Sequence, residues 1–421
     1  MDGHARHGSR ISMKSLAGAT LHYGLTACFL ALVAVGCGAG SGNAGQSNAG
    51  DQAGRATKET HEHTQTASAT VGKSVGERDP EEDAQPRMSV REMVGQMFVV
   101  SVDGAAPEHY VENMVRGRNL GGVILFRYNM KDEAQTRRMI SSLQELSMQT
   151  EPAIPLFVAV DQEGGEVAHA PWVTPQPAAA EVGAGGDPDK ARAIAETMGR
   201  QLRQAGVNTD LAPVVDTGYG AAIGSRSFGT NPRMVARMSA ASVLGFEEAG
   251  IVSAAKHFPN HGAATTDSHE GLPVVRHGMA KVRGHDLPPF QAAVEAGVPM
   301  VMMGHLVYPA IDYERPASLS PEAYRMLRED LGFDGVAVTD DLAMAGATGG
   351  GTPARAAVRA VKAGADLLIL SSPAPQQTAA YEAIVDAVEA GEIPKSRIRD
   401  SARRVMEVKK EYPLYRAKDG L

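Results

Sequence analysis

The chain has 421 residues, 43% hydrophobic and 21% charged, the balance of a globular protein with room for one large domain or two ordinary ones. A formal net charge of −8 argues against nucleic acid as a partner, because a phosphate-binding surface needs a basic excess or stripe. The two cysteines, Cys28 and Cys37, both sit near the N-terminus, so no disulfide framework or cysteine-based metal site is expected in the body of the chain.

The first segment reads as an address. Arg6, Arg10 and Lys14 precede an apolar run from Leu25 to Gly36. That run suits a signal-peptide core and falls short of the ~20 residues a spanning helix needs. It ends in Ala34-Val35-Gly36-Cys37, which resembles the lipobox of bacterial lipoproteins, where the cysteine is acylated and becomes the mature N-terminus. Residues 1–37 are therefore expected to be a lipoprotein signal peptide, with Cys37 the lipidated residue. Residues 38–87 are Gly, Ser, Ala, Asn, Gln, Thr and charge, with too little apolar surface to offset the entropy of ordering. They read as a disordered tether.

From residue 88 to 421 the pattern changes. Short β-branched runs alternate with amphipathic stretches, as in a parallel sheet built of βα units. Strands are expected at Met97–Val102, Gly122–Phe126, Leu156–Asp161, Thr209–Val215, Ile251–His257, Val298–Gly304, Gly335–Asp340 and Asp366–Leu370. The helical stretches between them include Ala134–Met148, Asp187–Ala205, Pro232–Ala249, Leu287–Ala296, Pro321–Leu331 and Pro353–Ala363. Eight such units point to a single α/β (β/α)8 barrel of the TIM type. No Gly-x-Gly-x-x-Gly opens a helix after an early strand, which removes a dinucleotide fold. Asp161, Asp216, Lys256, His257, His305 and Asp340 each fall at or just past the end of an apolar run. In a barrel those ends share one mouth, so the six residues should converge there.

Three segments are specific enough to point to a family. Lys256-His-Phe-Pro-Asn-His-Gly262 with Asp267-Ser-His269 resembles the signature of glycoside hydrolase family 3, and more closely its β-N-acetylglucosaminidase branch. Met303-Gly-His-Leu-Val-Tyr-Pro309 and Leu331-Gly-Phe-Asp-Gly-Val-Ala-Val-Thr-Asp-Asp-Leu-Ala-Met344 are similar to the same branch, as are Asp161-Gln-Glu-Gly-Gly165 and Ile223-Gly-Ser-Arg-Ser-Phe-Gly229. The resemblance runs in order from about Val90 to Pro413.

It implies a retaining exo-β-N-acetylglucosaminidase. Asp340 would be the nucleophile, while Asp341 turns away to cap the following helix. The acid/base would be His269, paired with Asp267. A histidine titrates near neutrality without heavy desolvation, and a neighbouring carboxylate orients it. Asp161, Arg226, Lys256 and His257 match the family's sugar-binding positions. His305 is expected to line the pocket near Asp340. Glu166 and His169 stand where arginines are usual, and His169 takes the place of one that binds sugar. Asn260 stands where glycine is usual, a change a turn of positive φ tolerates better with asparagine than with most residues. The histidines His61 and His63 read as incidental. No cofactor and no metal is implied, and no obligate protein partner is evident. The expected partner is a small carbohydrate, a muropeptide or another N-acetylglucosaminide, which fits aromatics of only 5% and a lone Trp172. Two competing readings share the pocket: a phosphorylase using phosphate as acceptor, and a sugar-binding lipoprotein that has lost catalysis. The expected location is the outer face of the bacterial cytoplasmic membrane or the periplasm.

Overall fold

The structure, a computed structural model, describes residues 88–269 and 271–415. The expected signal peptide, the tether and Cys37 lie outside the described residues. No described helix is long and apolar enough to cross a membrane.

Valine is the commonest residue of the short runs and favours a pleated, buried surface. In chain order the strands are β1 (Phe98–Ser101), β2 (Gly122–Ile124), β3 (Phe157–Val160), β4 (Gln162–Gly164), β5 (Val167–Ala168), β6 (Thr209–Asp210), β7 (Val252–Phe258), β8 (Met300–Met303), β9 (Val336–Thr339) and β10 (Leu368–Leu370). The short β4 and β5 pair only with each other, antiparallel. The other eight form one sheet of order β10-β1-β2-β3-β6-β7-β8-β9 in which every ladder is parallel. The sheet closes where Val338 bridges Leu367 in parallel, with Thr339 N donating to Leu367 O at 3.0 Å. All eight expected strands are present, each shorter than its expected run apart from β7, which has the same length and starts and ends one residue later.

The helices are α1 (Val90–Gln96), α2 (His109–Arg118), α3 (Glu133–Ser147), α4 (Ala179–Gly185), α5 (Pro188–Gln204), α6 (Pro232–Glu248), α7 (Met279–Lys281), α8 (Pro288–Glu295), α9 (Pro321–Arg325), α10 (Ala345–Thr348), α11 (Pro353–Ala363), α12 (Ala374–Glu389) and α13 (Lys395–Glu411). Sequence chemistry fixes several starts. Asp187, Asn231 and Thr352 each accept a hydrogen bond from a first-turn N–H, and each is followed by proline at the first helical position. Two helices depart from a simple reading. π-helical turns at Val282–Asp286 and Met326–Asp330 lie before α8 and after α9.

Alternation along the strands divides the core. Val99, Ile124, Phe157, Ala159, Leu211, Ala254, Met302 and Val338 fill the barrel, and the residues between them face the helices. At the N-terminal end of the strands the barrel is plugged by Val405, Val408 and Tyr412 at the end of α13. There Lys409 Nζ donates to Gln96 Oε1 at 2.8 Å, Gly121 O at 2.7 Å and Pro155 O at 2.7 Å, above the Phe157 ring. On the same face the buried Asp366 carboxylate accepts from Arg328, Arg397, Arg404, Ser401 and the Ala337 N–H.

Candidate active site

The opposite end of the barrel holds a cavity of about 250 Å³. Asp161, His169, Arg226, Lys256, His257, His269 and Asp340 all line it. Lys256 and His257 lie in β7 itself and the others on the segments after β3, β5, β6, β7 and β9, all brought together by closure of the sheet.

Asp161 follows β3, and its carboxylate pairs with Lys256 Nζ. Lys256 also meets Glu163 Oε1 at 2.7 Å. Glu163 in turn receives Arg226 through two parallel bonds, Nε to Oε2 and Nη2 to Oε1, both 2.7 Å. Burial by itself raises the Glu163 pKa, but Lys256 and Arg226 outweigh it and hold the group at about 2. The same pairing with Asp161 and Glu163 raises Lys256 despite its burial. Asp210, at the end of β6, is fully buried, and burial raises its carboxyl well above the ordinary value. Beside it, the two carboxylates of Asp161 and Glu163 face the two cations Lys256 and Arg226. The result is a rigid, charge-balanced wall with hydrogen-bonding capacity turned to the cavity. Glu163 was passed over in the sequence, although it lies within the quoted Asp161–Gly165 motif. Its partners Lys256 and Arg226 are distant in sequence, so the only signal was its place in a motif beside one expected sugar ligand, Asp161.

The turn that carries Glu163 depends on backbone freedom. Gly164 and Gly165 both have positive φ, at 89° and 57°, and reverse the chain between β4 and β5. His169 follows that hairpin and meets Phe126 edge-on at 6.0 Å between ring centres.

Strand β7 delivers two adjacent side chains to the cavity. In a regular strand Lys256 and His257 point to opposite faces, but the pairing with β8 shifts register between Lys256 and Phe258. Asp216, fully buried, then orients His257. Its Oδ2 lies 2.8 Å from His257 Nδ1 and accepts the His257 N–H at 3.1 Å, while Oδ1 accepts the His261 N–H. A carboxylate at Nδ1 leaves His257 Nε2 for the cavity.

The loop after β7 is tied down in three places. Asn260 Oδ1 accepts from the Thr217 and Gly262 N–H groups at 2.9 Å each, and Asn260 Nδ2 donates to Thr217 O and Asp286 Oδ1. Positive φ is not the reason asparagine fits: among the described residues Asn119 is the only non-glycine residue with positive φ. Side-chain bonding is the reason. Gly262 lies so close to Thr217 that a Cβ there would meet its carbonyl oxygen at 2.4 Å. Beyond it, Ser268 Oγ sits 3.0 Å from His261 Nε2, and Ser268 O accepts from Gly346 N at 3.2 Å. Burial and the nearby His257 lower the His261 pKa, which keeps this ring neutral.

Ser268 thereby holds its neighbour. His269 Nδ1 is 2.8 Å from Asp267 Oδ1, which also accepts the His269 N–H at 2.9 Å. These bonds outweigh partial burial and lower the Asp267 pKa. The imidazole is 70% exposed, with Nε2 unclaimed by the dyad.

Asp340 follows β9. Its Oδ1 accepts the Asp341 N–H at 2.8 Å. Burial opposes ionisation, but His305 and His257 prevail and hold Asp340 at about 2. Asp341 departs from expectation: it lines the cavity beside Asp340, and it does not cap a helix. Its carboxylate binds Ala343 N, Ser371 N and Ser371 Oγ, tying this loop to the end of β10. His305 also departs from expectation. It is fully buried, with Nδ1 at 2.7 Å from Ser318 Oγ and Nε2 at 2.9 Å from Asp341 O. Both ring nitrogens are engaged behind Asp340, so His305 acts on that carboxylate and does not reach the cavity as a sugar ligand.

Comparison with known proteins places the chain in a family. Residues 89–408 match the glycosyl hydrolase family 3 N terminal domain. The chain is 33% identical over 330 residues to β-hexosaminidase A of Pseudoalteromonas piscicida, covering 72% of this chain and 55% of that protein. It is 38% identical over 261 residues to a β-hexosaminidase of Thiobacillus denitrificans, covering 60% and 71%. Among solved structures, a glycoside hydrolase family 3 β-N-acetylglucosaminidase from Paenibacillus sp. superposes with a TM-score of 0.77 at 35% identity, over 79% of this chain and 65% of that one. The chain thus spans less than two thirds of the first of these relatives and of that structure. The barrel and the family pattern coincide over nearly all the described residues, and the chain belongs to glycosyl hydrolase family 3, a family of glycosidases.

Proposed function

We propose that the chain is a retaining exo-β-N-acetylglucosaminidase, exported and lipid-anchored at Cys37, that removes terminal N-acetyl-β-D-glucosamine from muropeptides or related glycosides. The observation that carries the reading is the pairing of an ionised Asp340 with the His269–Asp267 dyad at one cavity. The names of the relatives support the aminosugar.

In the first step Asp340 attacks the anomeric carbon and the bond to the leaving oxygen breaks. His269 Nε2–H gives its proton to that oxygen, and the sugar is left as an ester of Asp340. In the second step neutral His269 takes a proton from water, the hydroxide attacks the same carbon from the opposite side, and Asp340 leaves as carboxylate. Two inversions restore the original configuration. Asp267 accepts from Nδ1–H throughout, so the proton always moves at Nε2. Asp161, Lys256 and His257 offer charge-assisted bonds to sugar hydroxyls.

The test is hydrolysis of 4-nitrophenyl N-acetyl-β-D-glucosaminide with and without phosphate. Phosphate-independent turnover, lost by several orders of magnitude in Asp340→Asn, with a 5-fluoro glycoside labelling Asp340, is the expected result. Strict phosphate dependence makes the enzyme a phosphorylase, and a label on another residue removes Asp340 as nucleophile. The anchor is tested separately. The native protein should partition into detergent with lipid on Cys37 and lose it in Cys37→Ala; a soluble native protein with a free N-terminus beyond Gly38 refutes it.

A further inference from the structure

Two histidines converge on one buried carboxylate away from the sugar cavity. His277 Nδ1 lies 2.7 Å from Asp286 Oδ2, and His285 Nδ1 lies 2.9 Å from Asp286 Oδ1. The π-helical turn Val282–Asp286 sets His285 and Asp286 beside His277, whose ring meets that of His285 edge-on at 6.0 Å. Asp286 is fully buried, while the His277 and His285 side chains are 14% and 29% exposed. None of the three lines the sugar cavity.

We propose that His277, His285 and Asp286 form a site for one divalent transition-metal ion of the zinc or cobalt class. Two imidazoles and a carboxylate are the donor set such ions prefer, and three protein ligands leave a fourth position for water. One ligand atom from each residue lies within 4.8 Å of the others. Bonds of about 2.0–2.2 Å to a tetrahedral ion set neighbouring ligand atoms roughly 3.4 Å apart, so the close nitrogen–oxygen contacts open slightly while any wider pair of the set closes. The two Nδ1 protons leave to solvent as the ion enters. Partial exposure of the rings gives the ion a path, and the burial of Asp286 holds the carboxylate in place. Asp286 also accepts from Asn260 Nδ2, in the loop between β7 and the dyad, and the Tyr308 hydroxyl donates to Asn260 O at 2.6 Å. An ion here braces the base of that loop against α8 without touching the reacting atoms.

The experiment is titration of the chelator-treated full chain with Co²⁺ alone. One ion per chain should bind with the visible absorption of a tetrahedral nitrogen–oxygen site. His277→Gln and His285→Gln should each weaken binding on the order of 100-fold. His269→Gln and the double change of His61 and His63 to Gln should not. Hydrogen exchange of the unmutated chain with and without Zn²⁺ supplies a second readout that no folding defect can obscure, with protection expected in the segment from Val274 to Pro289. Absence of saturable binding, octahedral Co²⁺ unaffected by both substitutions, or protection confined to another segment overturns the site and leaves Asp286 a hydrogen-bonded brace.

Discussion

Glu163 shows how a single side chain organises the wall of the cavity. It is 5% exposed and accepts from Lys256 and from both arms of Arg226. Its folded pKa of about 2 lies below that of a free glutamate, so its pairing stabilises the fold fully above the free value. That contribution, roughly 3 kcal/mol, is lost as pH falls from about 5 through 2. Glu163→Gln should therefore unfold more easily near neutrality and show a flatter loss of stability in that acid window. Lys256 and Arg226 would also lose their fixed positions, so KM should rise while Asp340 and His269 remain in place. Denaturant unfolding at about pH 7 and about pH 3, with KM at neutrality, makes the check. An unchanged acid slope would show that the charge of Glu163 is not what the two cations hold.

At the scale of elements, the eight barrel strands were legible because each is a short apolar run, and helices α5, α6 and α11 because an Asx or Thr cap and a proline mark their starts. The hairpin β4–β5 was not legible. Its strands are only three and two residues long, and its turn is set by two glycines. The π-helical turn before α8 escaped for a related reason: its period is not 3.6, so no amphipathic pattern announces it, although it brings His285 to His277. At the site, the strand-end position of Asp340, Lys256 and His257 was readable from local pattern. The placement of His305 was not, since a histidine just past a strand end can face the mouth or lie beneath it. Here Ser318 and the Asp341 carbonyl, both remote in sequence, hold it beneath. Asp216 was readable as a strand-end polar group, but its grip on His257 and His261 depends on how the loops after β6 and β7 meet.

Across the whole molecule the two ends of the barrel carry different burdens, as parallel closure demands. The mouth presents the exposed His269 ring, oriented by Asp267 on a loop anchored through the buried Ser268. The opposite end seats the fully buried Asp366 among three partly buried arginines and seals the strands with Lys409. A change at one end should therefore move one observable and spare the other. Asp366→Asn leaves three partly buried guanidinium groups without their counter-charge, which costs up to about 3–5 kcal/mol, while the folded fraction should keep its kcat. His269→Ala removes an exposed ring, so stability should shift by no more than about 0.5 kcal/mol. Its kinetic effect should depend on the leaving group. Dinitrophenolate departs with little protonation, so the covalent intermediate should form almost normally and then accumulate, because its hydrolysis needs His269 as base. A sugar leaving group needs the proton, and its release should slow by about 10²–10⁴-fold. Thermal unfolding and burst kinetics on both variants test the division together. Equal slowing for good and poor leaving groups, without a burst, would reduce His269 to a binding residue. A fall in kcat of the folded Asp366→Asn protein would mean that the two ends are mechanically coupled through the strands.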